Sequence, residues 1–457
     1  MNAGMLSPER VASCTRALEA AIERARAAGQ PVLCIHRERL EDAPSGLEVF
    51  AQAERSGERR FFAARPARGF ELTAVGCVER LSCDSDDVFD ELARRAASVL
   101  GEDAPDACWV GGIAFDPTAP RASHWSAFGR ASFALPELTL TRRDGATWLT
   151  LATRVSGSSA PQATLTRVGR WLEKSGPVDA PRARTAAHGP ATLPAYASAV
   201  TRVLDDIRRG RAQKAVIACE HRVPLGPGWQ TAGALRGLLH AHPDCLGFAQ
   251  GIGASTFLGA TPELLVQREG LRLRSAALAA TAPRDASSET EARLARQLWA
   301  SGKERTEHAL VVQAIAESLA PVCRALEIPD TPRVLRTGTL QHLHTPIRAT
   351  LRTPVHVLEL ARRLHPTPAL GGHPRGPALE LIRQHEGFDR GWYAGPLGWF
   401  DARGEGELFV ALRCALASRG ELRLFAGSGL VEDSDVARET RETGLKLGSI
   451  LEAVELW

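Results

Sequence analysis

No run of about 18 apolar residues occurs anywhere in this 457-residue chain, so it offers no segment that reads as a transmembrane helix. The opening stretch, MNAGMLSPERVASC, lacks a basic region followed by an apolar block, so no secretory leader is expected and the cytoplasm is the expected compartment. A charge excess is missing too: 56 basic residues face 53 acidic ones, a formal net charge of +3. That balance gives no footprint for nucleic acid or a membrane surface. The nine cysteines (Cys14, Cys34, Cys77, Cys83, Cys108, Cys219, Cys245, Cys323 and Cys414) form an odd set with no Cys-x-x-Cys pair. Their spacing argues against a disulfide framework and against a zinc site, and reduced thiols in a core are expected. Internal repeats and low-complexity tracts are absent outside one Pro/Ala/Arg-rich stretch.

What is present suits a soluble globular protein with a sizeable core. Hydrophobic residues make up 44% and charged residues 24%. The length exceeds that of a usual single domain, so one large unit or two smaller ones are expected. The stretch at 175–194, SGPVDAPRARTAAHGPATLP, has no apolar period and is the candidate joint. Before it, in residues 1–174, strand-like runs (PVLCI, GLEVF, FELTAV, ATWLTLAT) alternate with helical ones (Pro8 to Ala27, Asp86 to Leu100). After it, in residues 195–457, Tyr196, Val200, Val203, Leu204 and Ile207 keep a helical stripe that stops at Gly210. The next apolar run, Ala215 to Ala218, reads as a buried strand with Lys214 at its entrance.

Asp435, Glu439, Glu442 and Lys446 recur at helical spacing on one face, and Glu304 and Glu307 do so on a second predicted helix that runs through Ala320. Two such helices would offer carboxylates across one site. Oxygen-only ligation of that kind suits magnesium, which takes one or two carboxylates and leaves its other positions to water and an anionic substrate. The same spacing is also what a solvated helix surface carries.

Taken with their neighbours, these segments form an ordered series across residues 211–447. It runs through Lys214-Ala215-Val216-Ile217, FLGATPELLV (257–266), the stretch 276–284, KERTEHALV (303–311) and LQHLHTPI (340–347). It continues with LHPTPALGGHPRG (364–376), FDRGWYAGPLGW (388–399), LFVALRCA (408–415) and LFAGSGLVEDS (424–434). In order and spacing the chain resembles the chorismate-binding enzymes, the group that holds isochorismate synthase, salicylate synthase, aminodeoxychorismate synthase and the large component of anthranilate synthase. The resemblance is specific over those residues and diffuse before them. It implies an α+β fold of large antiparallel sheets packed face to face with helices outside, in which the early segment supplies strands and 175–194 is a loop.

The resemblance also implies roles. Lys214 matches the general base that takes a proton from water attacking carbon 2 of chorismate, a task that needs the free amine. Glu263 matches the general acid that protonates the departing hydroxyl at carbon 4, and its apolar setting after Pro262 would raise its pKa. Magnesium would be held by Glu307 and Glu442, with Glu304 and Glu439 orienting its waters. Arg413 matches an arginine that clamps a substrate carboxylate, and Lys446 is placed near the same anion or against the acidic cluster. Successive amides of Ala426, Gly427, Ser428 and Gly429, read as a turn, would cradle the other carboxylate, with the Ser428 hydroxyl as an extra donor. Ala280, Thr281 and His342 are pocket residues by motif position, and His365 and Thr367 are expected to help form the pocket.

Within the family the expected reaction is that of isochorismate synthase, an isomerase serving menaquinone or catechol siderophore synthesis. The aminodeoxychorismate synthase lysine of Pro-Ile-Lys-Gly-Thr is absent from Ala277-Leu278-Ala279-Ala280-Thr281, and Lys214 stands where anthranilate synthases generally carry glutamine. Salicylate synthase, which also eliminates pyruvate, is the rival by mechanism, and a non-catalytic chorismate-binding subunit is the reading from another class. The ammonia-using motif is absent, so no obligatory glutaminase subunit is expected, and a monomer is. Three departures stand out: Ala280 where the family usually has glycine, Cys219 where an arginine often ends the Lys214 strand, and Ser428, which adds a hydroxyl within the glycine turn.

Overall fold

The computed structural model describes residues 7–83, 85, 87–100, 104, 107–173, 193–226, 229–285, 287–338 and 340–455. Most of the expected joint at 175–194 lies outside them. Local signals set the first helix, Pro8–Ala28. The Ser7 hydroxyl accepts from the Arg10 amide, proline opens the first turn and Gly29 ends it at φ 64°. The run GLEVF, expected as a strand, instead begins helix Gly46–Arg55. A short apolar run does not distinguish the two by periodicity, and here a complete capping box between Ser45 and Glu48 decides it. The other three expected strands form, and the second expected helix spans Val88–Val99.

Two antiparallel sheets dominate. The larger has eleven strands, in spatial order Val32–Leu40, Ala146–Val155, Leu138–Arg143, Phe70–Val75, Arg60–Arg65, Leu246–Ile252, Ser255–Thr261, Cys414–Ser418, Glu421–Leu430, Lys214–Pro224 and Gly372–His373. The second is ordered Cys323–Glu327, Leu340–Leu351, Arg272–Pro283, Leu264–Glu269, Gly406–Val410, Pro396–Asp401, Cys108–Ile113, Ala131–Leu135 and Glu79–Ser82, with Arg333–Thr337 also pairing to Leu340–Leu351. Strands from before and after residue 175 therefore share both sheets.

One continuous apolar core, with Trp109, Trp125, Phe248, Phe257 and Trp392 among its largest buried side chains, spans elements of both sheets. A separate small core, including Leu18, Ile22, Leu149, Leu151 and Trp171, holds the first helix against the edge of the larger sheet. Near it, the ligand atoms of Cys14, His36 and Glu38 lie within 4.8 Å of one another. His36 Nε2 also lies 3.4 Å from both Ser13 Oγ and Glu38 Oε2, and Arg10 approaches Glu38 at 3.8 Å, so these groups are partnered within the protein. No cysteine is in a disulfide, but Cys77 is exposed and Cys108 half-buried, which corrects the expectation that all nine lie in the core. Among the described residues no helix is long and apolar enough to cross a membrane.

The chain crosses from the larger sheet to the smaller at Pro262-Glu263 and back again over Ala411–Arg413. These crossovers are stitched together: the Val410 amide donates to the Glu263 carbonyl at 3.1 Å, and the Thr261 hydroxyl donates to the Val410 carbonyl at 2.6 Å. Two side chains expected at the site thus start from the seam between the sheets.

Candidate active site

At that seam a cavity of about 160 Å³ opens, and every residue expected to act in catalysis or to bind substrate or cation but one lines it, whereas the expected pocket-forming His365 and Thr367 do not. The smaller sheet contributes Ala280, Thr281 and His342. The strand Glu421–Leu430 contributes Ala426 to Gly429, and helices Gly302–Leu319 and Val436–Glu455 bring in Glu304, Glu307, Glu439, Glu442 and Lys446. Lys214 is the exception: it is 1% exposed and lies behind the wall, its ammonium donating to Glu307 Oε1 at 2.7 Å. Gly429 makes room for this pair, since a Cβ there would stand 2.9 Å from Lys214 Cε and 3.2 Å from Glu307 Oε1.

Glu263 is buried at the sheet crossover, and burial raises its carboxyl from 4.5 to about 8 against the opposing pull of the Lys214 charge. It is therefore a neutral acid at neutral pH. Burial pushes the Glu307 carboxyl up, but the charge and hydrogen bond of Lys214 together with the Lys303 and Lys446 charges hold it below its usual range. Glu304 and Glu439 are pushed up, chiefly by burial and then by the neighbouring carboxylates Glu307 and Glu442 respectively. Glu442 is paired with Lys446 at 2.9 Å, and Lys446 also donates to the Gly427 carbonyl at 2.9 Å. Asp435 is not part of this cluster; its carboxylate accepts from the Arg438 amide at 2.8 Å and caps the helix.

On the opposite side, Arg413 has φ 47° and donates to His342 Nε2 at 2.6 Å and to Thr337 Oγ1 at 2.7 Å. A guanidinium only donates, so Nε2 accepts and the His342 proton sits on Nδ1, which faces Thr281 Oγ1 at 3.1 Å. Burial and the Arg413 charge hold this histidine neutral, well below its ordinary pKa. His342 thus orients the arginine. Ala280 occupies a bulge between paired neighbours with φ 60°, a left-handed conformation that explains why glycine suits the position.

Three expectations need correction. The segment Ala426 to Gly429 is not a turn but strand, paired with Val216 to Cys219, so its successive amides point alternately to opposite edges and do not form one cradle. The neighbouring strand stops at Cys414, opposite Phe425, which leaves one edge of that segment open toward the cavity. The Ser428 hydroxyl, expected as an extra donor to a ligand, already has a partner within the protein, Tyr196 Oη at 2.7 Å. His365 and Thr367 lie outside the cavity; His365 Nε2 donates to the Phe115 carbonyl at 2.9 Å, and only Ala369 and Leu370 of that segment reach the lining. Lys303, Arg390, Tyr393 and Arg438 also line the cavity. Lys303 and Arg438 each sit one position before an expected glutamate, a signal the acidic pattern obscured.

Comparison with known proteins agrees with this architecture. The family described as chorismate binding enzyme matches residues 20–455. A salicylate biosynthesis isochorismate synthase of Pseudomonas aeruginosa is 39% identical over 463 residues, covering 97% of this chain and 95% of that protein. The isochorismate synthase MenF of Bacillus subtilis is 34% identical over 347 residues, 75% of this chain and 74% of that one. Among solved structures, MenF, the menaquinone-specific isochorismate synthase from Escherichia coli, aligns with a TM-score of 0.79 at 25% identity, over 96% of this chain and 100% of that chain. With the motifs, the two-sheet fold and the cavity at their seam, these matches establish that the chain belongs to the chorismate-binding enzymes.

Proposed function

We propose that this chain is an isochorismate synthase, an isomerase that adds water at carbon 2 of chorismate and expels the carbon 4 hydroxyl. The observation that carries the reading is a buried, neutral Glu263 close to a buried Lys214 at one cavity, the lysine acting as base once it is in its free-amine form. Lys214 takes the proton of the attacking water as its oxygen bonds to carbon 2. The ring double bonds shift, the carbon 4 to oxygen bond breaks, and Glu263 gives its proton to the departing hydroxyl. One water enters and one leaves, so substrate and product have equal mass. Arg413, held by His342 and Thr337, is aimed to bind a substrate carboxylate.

The donor set fits magnesium. Four carboxylates from two helices line the cavity, and mutual repulsion within the cluster shows negative charge that a divalent cation would offset. Among the described residues no three of them bring their oxygens within 4.8 Å, but magnesium needs only one or two protein carboxylates. Glu307 and Glu442 would hold it, with Glu304 and Glu439 orienting coordinated water. When bound, the cation supplies charge neutralisation for the ring carboxylate of the substrate.

The enzyme acts as a cytoplasmic monomer without a glutaminase subunit in this reading. Its product serves menaquinone or siderophore synthesis, and the name of the 39%-identical relative supports a salicylate route. The test is incubation with chorismate and magnesium in the absence of ammonia. Isochorismate as the first product supports the reading; salicylate and pyruvate from the outset would assign the chain to the salicylate synthases.

A further inference from the structure

The strand that carries Lys214 is fully paired along one edge only. Ala215 to Pro224 pair with Leu430 to Glu421, but on the other side only Gly372 and His373 pair, opposite Ala215 and Lys214. The Val216 amide still finds main chain there, donating to the Gly371 carbonyl at 3.0 Å. Beyond that point two side chains take the place of a strand. Arg390 Nη2 donates to the Val216 carbonyl at 2.7 Å, and the Ala218 amide donates to Glu386 Oε1 at 2.8 Å. Alternate residues of a strand address the same edge, so Lys214, Val216 and Ala218 are held along one line.

The two side chains are also joined to each other as a fork, Arg390 Nε donating to Glu386 Oε2 at 2.8 Å and Nη2 to Oε1. Both are 4% exposed or less, so water does not compete for these bonds. Arg390 Nη1 donates to the Leu370 carbonyl at 3.1 Å. A guanidinium has five N–H groups, and four of them are committed in this way. Arg390 therefore lines the cavity as part of its frame. It ties together Val216 and Leu370, which both line the cavity, and anchors them to Glu386, which does not.

We propose that Glu386 and Arg390 are positioning residues for the base: the pair completes the open edge of the Lys214 strand and so sets where the amine stands against the substrate. This rests on the reading of Lys214 as base. Displacing a reacting group by about an ångström costs up to about a hundredfold in rate, so a strand edge left unsupported is felt in kcat.

The test is steady-state kinetics of the full-length protein with chorismate at saturating magnesium, with thermal melting and magnesium calorimetry on the same samples. Glu386→Leu and Arg390→Met each leave a buried charge without its partner and are expected to lower the melting temperature. Combined, they remove both charges, and the double variant is expected to recover part of that loss. Its kcat is nevertheless expected to stay about tenfold to a hundredfold low, with chorismate KM near wild type and magnesium affinity no weaker, because the strand edge is still unsupported. Arg390→Lys serves as the second variant should the double variant fold poorly. Its ammonium keeps the charge but lacks the planar fork, and kcat is expected to fall by about tenfold with KM unchanged. Wild-type kcat in a folded double variant or in Arg390→Lys, with only the melting temperature lowered, overturns the inference and leaves the base assignment intact. A loss confined to KM also overturns it, since Arg390 would then be a substrate contact. Near-full turnover in Lys214→Ala overturns both.

Discussion

Lys214 and Glu307 are joined by a single hydrogen bond of 2.7 Å, so the side chain assigned as base and the one assigned to the cation are partners. In the proposed mechanism a cation taken up by Glu307 would weaken its hold on Lys214, and loss of that carboxylate partner would favour the free amine the base role needs. Filling the cation site and preparing the base would then be linked. Lys214→Ala is therefore expected to lose about a hundredfold to ten-thousandfold in turnover, while magnesium affinity measured by calorimetry stays equal to or tighter than wild type. A Lys214→Ala protein that binds magnesium more weakly would break this link.

In the proposed mechanism Glu263 carries the pH dependence. Its raised pKa means that the proton it donates is present below about 8 and lost above it, so kcat is expected to fall as pH rises through that value. Stability has the same sign. A carboxyl raised from 4.5 to about 8 contributes stability that is fully present below the lower value and lost as pH rises through the higher one. Glu263→Gln is expected to abolish most turnover yet to melt at a higher temperature than wild type on the alkaline side, with the difference shrinking toward pH 5. A wild-type rate flat from neutrality into the alkaline range would remove Glu263 from the acid role.

Gly429 supplies a steric test of the same pair. A methyl group there meets Lys214 Cε at 2.9 Å and Glu307 Oε1 at 3.2 Å. Displacing reacting groups by about an ångström costs up to a hundredfold. Gly429→Ala is expected to lose kcat on that scale while circular dichroism shows the fold intact; an unchanged kcat would show that the pair has slack.

Much of the site was legible because its residues come in short motifs with fixed order. Fourteen of the fifteen positions expected to act in catalysis or to bind substrate or cation line one cavity, although His365 and Thr367 do not, even though those fourteen are separated by up to 183 residues, from Glu263 to Lys446. What stayed hidden depends on contacts between distant segments. Nothing near Lys214 in sequence shows that it sits behind Glu307, and nothing near Ser428 shows that Tyr196 meets its hydroxyl. The glycines of Ala426 to Gly429 suggested a turn, but they serve close approach in a strand: a Cβ at Gly427 would stand 2.4 Å from the Ile217 carbonyl oxygen. GLEVF misled for a local reason, since its apolar run is too short to show a period and its cap lies one residue upstream. In Ala280 the departure from glycine was visible, and its meaning, a left-handed residue in a bulge, needed the backbone.

The most direct measurement of the central claim follows the oxygen atoms. Purified protein is incubated with chorismate and magnesium in heavy-oxygen water, without ammonia, and the product is examined by mass spectrometry and nuclear magnetic resonance before equilibrium is reached. Addition of water at carbon 2 with loss of the carbon 4 hydroxyl predicts isochorismate carrying one solvent oxygen at carbon 2. Isochorismate without the label, or no isochorismate at all, would contradict it.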